Sequence, residues 1–587
     1  MGFKDNPIVF LFRYMWRFAK GNRNMVVTYL SLTLLSGFVR LVDPLVVVWL
    51  LNTIQVEGVS SANVGKLLGI ISLFVVITLL TWLFHGPSRV LERKVAFIVR
   101  ANYRKYLLDG MLALPQKWHT DHHSGDSIDK IEKGISALFN FTENSFNVVG
   151  GLFRLVSSYI VLIIFNVHAT YIVFILFCVV LSIINAYDKR LRVQYKELNR
   201  AENITAQRVY DVISNITTVI ILRLESLVAK ELWKKIMFPF ELYKKNSKMN
   251  EVKWFIVSLF VSIMTALTLG SYILGVVFSG SALLVGTLYA LYGYTDRIGD
   301  VLFNFAWMYS DLVKQKTRIE NAEELSNEFQ KVEVVKERLP SSWRSIAIHN
   351  LTFSYQDKEH ELHLKNVDFN FKRGERIALI GESGSGKTTF MKLIRALYIP
   401  KSAEVTVNGK PTSLKILSND MTLIPQEPEI FATTMLENVT MGVPHALSVV
   451  ERFAKMARFL HVVKRLPKQW HSSVVEKGVN LSGGEKQRLA LTRGLLASAD
   501  KSIVLMDEPT SSVDAHNEVS IHENIFSSFK GKTIISTIHR LHLLPMFDRV
   551  YVFDKGRIIA VGHYKELLKS SPLFKHLWKK YHRAKSA

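Results

Sequence analysis

Gly381-Glu-Ser-Gly-Ser-Gly-Lys387-Thr388 follows the apolar run Ile377-Ala-Leu-Ile380 and precedes Phe390-Met-Lys-Leu-Ile-Arg-Ala-Leu. The first run is short and continuous, like a buried strand, and the later one repeats its apolar residues at helical spacing. Between them, Gly-x-x-x-x-Gly-Lys-Thr is the pattern of a loop whose backbone N–H groups cradle phosphate oxygens. The strand before it and the helix after it aim a helix N-terminus at the anion. Gly381, Glu382, Ser383, Gly384, Ser385, Gly386, Lys387, Thr388 and Thr389 are therefore candidates for nucleotide contact. Lys387 would add a point charge to the β- and γ-phosphates, and the Thr388 hydroxyl would ligate Mg²⁺.

About a hundred residues later stands Leu481-Ser-Gly-Gly-Glu485. Together and in this order, the two segments resemble those of ATP-binding-cassette (ABC) proteins, and the likeness covers about residues 340–587. Further stretches resemble the family in its order. Ile503-Val-Leu-Met-Asp507-Glu508 is a buried-strand run ending in two acids. The resemblance implies that Asp507 assists Mg²⁺ through water and that Glu508 polarises the attacking water. Gln426, in Ile424-Pro-Gln-Glu-Pro, is similar to the glutamine that touches Mg²⁺. Ser512-Val-Asp514 resembles the D-loop. His539 in Ser536-Thr-Ile-His-Arg resembles the histidine near the γ-phosphate, and Tyr355 the aromatic that stacks on adenine. Ser482 and Gly484 would contact phosphate. Two departures stand out: Val475 replaces a glycine in Val474-Val-Glu476-Lys-Gly478, and Glu485 takes a position where Gln is frequent. The expected cofactors are ATP and Mg²⁺, with Glu508, His539 and Lys387 as the catalytic set.

The front half reads differently. Hydrophobic residues make up 49% of the chain against 21% charged. Six apolar runs approach or exceed the roughly 20 residues a bilayer requires, at about 25–50, 66–85, 143–165, 168–187, 252–276 and 281–303. The connections at 52–64, 166–168 and 277–280 are short and nearly free of Lys and Arg. Those at 86–142 and 188–251 carry Arg89, Arg93, Lys94, Arg100 and Arg104, and Lys189, Arg190, Arg192 and Lys196. Basic connections face the cytoplasm, which puts both termini inside. Phe10 to Arg23 mixes cations with aromatics and predicts an amphipathic helix on the inner leaflet. No cleavable signal peptide is read, and the lone Cys178 excludes an intrachain disulfide.

The net charge of +24 invites a nucleic-acid reading. It is spread out, however: residues 331–587 hold 39 Lys+Arg and 25 Asp+Glu, or +14, which leaves +10 for 1–330. A basic surface beside anionic lipid headgroups accounts for that spread, so membrane lipids and not nucleic acid are the expected neighbours.

Two long inside loops, three short outside ones and one cassette resemble an exporter-type (type IV) ABC half-transporter. The fold expected is an all-α six-helix transmembrane domain followed by an α/β P-loop ATPase domain. The boundaries are 1–24 for the amphipathic segment, 25–320 for the spans, 321–343 for a linker and 344–587 for the cassette. Leu114 to Asp126 and Asn203 to Leu222 look like the two coupling-helix regions. In this family one cassette's phosphate loop works with another's signature, so the resemblance implies a homodimer or a pair with a related half. It implies a multi-pass protein of the cell membrane that exports or flips an amphipathic substrate. An importer, a nucleotide-gated channel or regulator on the same scaffold, and a soluble ABC ATPase are the alternatives, the last opposed by the spans. Lipids, peptides, drugs and glycolipids stay open as substrates. No peptidase domain precedes the first span, so leader-peptide cleavage is not expected. In the sixth span Tyr289, Gly293, Asp296, Asp300, Asn304, Trp307 and Asp311 fall on one helical stripe. The two reading choices for Asp296 and Asp300 are a cavity favouring cationic substrates and pairing with Arg40 or Arg154.

Overall fold

A computed structural model describes residues 6–122, 124–329, 337–355, 363–474 and 481–586. The chain divides into two units, 1–113 with 123–331, and 114–122 with 332–587.

The first unit is helical. α1 (Pro7–Phe18) starts at Asn6, whose side-chain oxygen accepts the Ile8 N–H at 2.9 Å as an N-cap. It buries Leu11, Met15 and Phe18 and leaves Arg13 and Arg17 outward. This helix begins and ends earlier than the expected 10–23, because the chain turns through Gly21 (φ +87°) before α2 (Arg23–Leu41).

The first apolar run is two helices, α2 and α3 (Asp43–Glu57). Pro44 explains the break: it has no N–H for the Arg40 carbonyl and its ring crowds that oxygen. The freed carbonyls find side chains on the last long helix. Tyr294 donates its hydroxyl to Leu41 O at 2.9 Å, and Arg297 Nη2 reaches Arg40 O at 3.5 Å. The next run is one helix, α4 (Val64–Ala113), of 50 residues. At 1.5 Å per residue it is about 75 Å long, more than twice a hydrocarbon core.

A short α5 (Gln116–Asp121), in the first expected coupling region, belongs to the second unit. α6 (Ser124–Glu143) and α7 (Ser145–Phe165) meet at Asn144. There the buried Glu92 of α4 accepts the Phe146 N–H and the Ser145 hydroxyl, both at 2.8 Å, and so caps the start of α7 from outside. α8 (Val167–Ser214) runs well into the second expected coupling region before α9 (Ile216–Ile221). α10 (Glu225–Met237), α11 (Phe240–Ser279) and α12 (Val285–Phe329) follow. α8 and α11 are joined by a buried ion pair, Lys253 Nζ to Asp188 Oδ1 at 3.2 Å. Gly134 of α6 lets α12 approach closely, since a Cβ there would stand 2.6 Å from Ala322 Cβ.

Among the described residues five segments are long and apolar enough to cross a membrane: Arg23–Glu57, Val64–Ala113, Ser145–Phe165, Val167–Ser214 and Glu225–Ser279. The sixth long helix, α12, falls short of that hydropathy because Asp296, Arg297 and Asp300 interrupt its apolar stretch. It also extends past Glu320 to Phe329, where a charged linker was expected. Ile319, Ala322 and Leu325 form a buried stripe there, with Glu323 half-buried beside it and Arg318, Glu320 and Glu324 exposed.

The second unit is an α/β cassette with two sheets. β1 (Ser345–Phe353), β2 (Leu364–Lys372), β4 (Ser402–Val407) and β5 (Lys410–Thr412) form an antiparallel sheet in the order β2-β1-β4-β5. β3 (Arg376–Ile380), β6 (Met421–Ile424), β7 (Ile503–Asp507), β8 (Thr533–Thr537), β9 (Arg549–Asp554) and β10 (Arg557–Gly562) form the other, ordered β10-β9-β3-β8-β7-β6. Five of those strands run parallel and β10 closes the edge antiparallel. β7 and β8 are buried at every position, which is why they read as continuous apolar or small runs without alternation. The carboxyl ends of β3, β7 and β8 therefore point one way, and ligands of open parallel sheets bind outside such ends.

Candidate nucleotide site

The phosphate loop leaves β3 at Ile380 and enters α13 (Lys387–Ile394). Three of its glycines sit in the left-handed region: Gly381 (φ +152°), Gly384 (φ +79°) and Gly386 (φ +104°). A Cβ at Gly381 would stand 2.3 Å from Phe553 O, and one at Gly386 2.8 Å from Leu364 Cδ2. The loop is thus wedged between β2 and β9, and Gly556 N–H donates to Ser385 O at 3.1 Å to hold it. Gly384 has open space where a side chain would stand, and it lines the cradle. That cradle is a cavity of about 740 Å³ lined by loop residues together with Gln426, Glu508 and His539.

Lys387 is buried, and its ammonium donates to Gly381 O at 2.9 Å and Glu382 O at 3.0 Å. Burial pushes it below the ordinary lysine range, against the pull of Glu508 and Asp507. The Thr388 hydroxyl donates to Asp507 Oδ1 at 3.2 Å. Tyr355 reaches the loop from its edge, its hydroxyl 3.1 Å from Thr389 Oγ1, and its ring stands edge-on to Phe353, His363 and Tyr398.

The two acids after β7 are placed differently. Asp507 is buried and takes a second hydrogen bond from the Thr537 hydroxyl at 2.8 Å. Glu508 sits at φ +46°, a left-handed backbone that costs a non-glycine residue roughly 1–2 kcal/mol. Thr537 Oγ1 accepts the Glu508 N–H at 2.8 Å, and Gln487 Nε2 donates to Glu508 O at 3.0 Å. The turn brings the Glu508 carboxylate to the cavity between two polar side chains. Gln426 Nε2 donates to Oε2 at 2.9 Å, and His539 Nε2 lies 2.6 Å from Oε1.

The structure brings Lys387, Thr388, Thr389, Gln426, Asp507, Glu508 and His539 to one end of the sheet. Ser482, Gly484 and Asp514 do not line the cavity. Ser482 is the N-cap of the helix Gly483–Ala497, with Glu485 completing a capping box, and Asp514 caps the helix Ala515–Ser528. Gly484 permits close approach to the loop after Glu508, since its Cβ would stand 2.8 Å from Ser512 O. Buried Gln487 ties the same elements, accepting Ser512 N–H at 2.7 Å and donating to Ser511 Oγ at 2.9 Å. Val475, Glu476 and Gly478 lie outside the described residues.

Four residues of this region were not read from sequence. Thr537 lies inside the quoted Ser536–Arg540 stretch and Gln487 two residues past Glu485, but their partners are 29 and 21 residues away. Lys365 and Lys555 add two cations to the cavity wall, from β2 and from the turn after β9. No spacing rule connects those lysines to the loop.

The donor set fits a hard divalent cation, since the Thr388 hydroxyl, Asp507 carboxylate and Gln426 amide all offer oxygen. The cradle fits phosphate, with left-handed glycines, a helix N-terminus and a buried lysine converging on open space.

In the helical unit the expected polar stripe of α12 is opposite its buried face. Ala290, Leu291, Tyr294 and Ile298 are buried, while Asp296, Asp300 and Trp307 are exposed. Neither Asp296 nor Asp300 pairs with Arg40 or Arg154 within 4.0 Å.

A fused helical unit and a P-loop cassette with this arrangement define an ABC transporter, and the comparisons agree. The ABC transporter family matches residues 364–511, and the ABC transporter transmembrane region matches residues 26–295. This chain belongs to the ABC transporter superfamily, with transmembrane and nucleotide-binding domains in one polypeptide. It is 36% identical over 237 residues to ABC transporter B family member 19 of Arabidopsis thaliana, covering 40% of this chain and 19% of that protein. It is 35% identical over 237 residues to the glutathione/L-cysteine transport system ATP-binding/permease protein CydD of Bacillus subtilis, covering 40% of each. The matches therefore span less than half the length of these two curated relatives. A solved structure of a bacterial Atm1-family ABC exporter with ATP bound superposes with a TM-score of 0.83 at 21% identity, over 95% of this chain and 99% of that one. That likeness is one of fold.

Proposed function

We propose that this chain is one half of an ATP-driven transporter that exports or flips an amphipathic substrate across the cell membrane. It works as a dimer, with a second copy or with a related half. In this reading residues 25–320 form the transport path and 344–587 the ATPase, with both termini cytoplasmic. The observation that supports it best is the Glu508 carboxylate, held on the rim of the phosphate cradle between Gln426 and His539.

Each residue has a task. The Gly381–Thr389 loop holds phosphates through its N–H groups, and Lys387 must leave the Gly381 and Glu382 carbonyls to meet them. Thr388, Asp507 and Gln426 would hold Mg²⁺. When bound, the ion would offset charge on the phosphate oxygens. Glu508 acts as general base toward water once His539 and Gln426 release it, and His539 turns toward the γ-phosphate. Tyr355 stacks on the base. Ser482, Gly484 and Asp514, away from the cavity of their own chain, serve the nucleotide of the other chain.

Glu508→Gln tests the assignment. It should leave ATP binding intact and lower turnover at least about a hundredfold, the scale of a lost general base. Near-normal steady-state hydrolysis by the mutant would remove Glu508 from that role.

A further inference from the structure

The nucleotide site leaves unused a group of charged side chains in the middle of the helical unit. Arg40 lies at the end of α2, Arg154 midway along α7, and Arg297 in the first third of α12. Asp43, Asp296 and Asp300 accompany them. The Phe38–Phe153 contact and the bond from Arg297 to Arg40 O bring these stretches of α2, α7 and α12 together, and Arg154 lies within electrostatic reach of Arg40, Arg297 and Asp300. Asp43 is within range of Arg297 and Arg40, and Asp296 within range of Asp300. From α4, His85 faces Arg40 and Arg89.

Among the described residues no carboxylate comes within 4.0 Å of any of these three arginines. Arg297 is held instead by a carbonyl and a ring, reaching Arg40 O at 3.5 Å and lying 5.5 Å from the Tyr294 centroid. Arg40 and Arg154 are exposed along their helices, as are Asp296 and Asp300 on α12. Charges at membrane depth face a bundle interior or a wet cavity, not lipid. Three guanidiniums within electrostatic reach that do not collapse onto acids repel one another, and their planar forks suit phosphate or carboxylate. The wall is balanced, three arginines against three aspartates, and it carries both signs side by side: Asp43 lies near Arg40 and Arg297, Asp300 near Arg154, and Asp296 beside Asp300. A purely anionic head would satisfy the arginines and oppose the aspartates. An apolar surface adjoins the wall, where Phe38 meets the Phe153 ring edge-on at 4.6 Å. Gly37 makes room for that ring, since its Cβ would stand 2.7 Å from Phe153 Cδ1.

We infer that this wall binds the head of a zwitterionic amphiphile. Its phosphate or carboxylate lies among Arg40, Arg154 and Arg297, its cationic group at Asp296 and Asp300, and its chain along Phe38 and Phe153. This names the substrate class of the proposed transporter and rests on that reading only for the claim that the ligand is moved.

The test is equilibrium binding without ATP, so it stands apart from any failure of hydrolysis. Full-length protein in uncharged-lipid nanodiscs is titrated with single-chain amphiphiles of one chain length. Their heads are phosphocholine, carboxybetaine, phosphate or trimethylammonium. A zwitterion should bind most tightly, and the stronger of the two names the anionic group. Arg40→Gln and Arg154→Gln should each weaken it about tenfold, the scale of one lost charge-assisted hydrogen bond. Arg154→Lys should recover part of the loss. Asp296→Asn with Asp300→Asn should weaken the zwitterion and spare the alkyl phosphate. Melting of each variant alongside wild type separates binding from folding. Equal binding of all four heads, a preference for either singly charged head, or zwitterion binding indifferent to both arginine changes would overturn the inference.

Discussion

Thr537→Val removes one hydroxyl at the end of β8 and keeps its shape. That hydroxyl donates to Asp507 Oδ1 and accepts the Glu508 N–H, both at 2.8 Å, and Thr537 is fully buried. A hydrogen bond to a charged group contributes roughly 1.5–3 kcal/mol, and orphaning a buried N–H costs roughly 1–3 kcal/mol more. Some of this is recovered by relaxation, so a loss of roughly 2–4 kcal/mol is expected. For a domain of about 250 residues that lowers the melting temperature by roughly 4–16 °C. The functional effect is separate. Glu508 holds a left-handed backbone at φ +46° only while its neighbours fix it, and Thr537 is one of those that do. Letting the carboxylate drift by about 1 Å costs on the order of a hundredfold in rate. Turnover should therefore fall roughly ten- to a hundredfold, with ATP binding less affected, and Thr537→Ser should restore both. Steady-state ATPase, nucleotide-binding and melting measurements on the full-length protein suffice. A Thr537→Val protein with wild-type turnover and melting would refute the idea that β8 positions the acids.

Mixing Lys387→Ala chains with Ser482→Arg chains should yield heterodimers with one intact site, seen as ATP-driven cassette closure beyond either parent. No gain on mixing would sink the cross-chain assignment of Ser482. Lys253→Met should destabilise the helical unit by roughly 3–5 kcal/mol, because it strands a buried Asp188 carboxylate, whereas Lys253→Met with Asp188→Leu should recover most of it. Equal melting of the single and double variants would show that the pair is not acting as a unit. Burial pushes the Glu485 carboxyl up, but hydrogen bonds from Ser482 and the Arg465 guanidinium, 2.5 Å away, hold it below its ordinary 4.5. A depressed carboxylate stabilises the fold above that value and loses the contribution as pH falls through its folded pKa. Glu485→Gln should thus be less stable than wild type at pH 7, with the gap closing below about pH 4.5; a gap independent of pH would argue against the ion pair.

Much of the nucleotide site was legible because it is local. The phosphate loop needs its glycines, lysine and threonine within nine residues, and the strand before it and helix after it are visible as apolar runs. Asp507 and Glu508 announce themselves by ending such a run. Thr537 and Gln487 did not, since a threonine after four apolar or small residues reads as strand and a glutamine on a helix as surface. They matter only because β7 and β8 are hydrogen-bonded neighbours in the sheet and the helix Gly483–Ala497 packs against the loop after Glu508.

The helical half divides along the same line. Length and hydropathy fix that the chain carries long apolar helices, since a bilayer of given thickness demands them. Where those helices break is decided by individual residues acting through space. Pro44 ends the first helix locally, but Tyr294 and Arg297, about 250 residues away, supply the bonds its carbonyls lose. The cap on α7 likewise comes from Glu92 on another helix. Hydrophobic periodicity and loop chemistry are properties of neighbours in sequence, so the sequence by itself determined the elements and the phosphate loop. Burial, charge convergence and the hydrogen bonds that aim a carboxylate depend on neighbours in space. Only the tertiary structure decided that Glu508 stands between Gln426 and His539, and that Arg297 of α12 reaches the Arg40 carbonyl on α2.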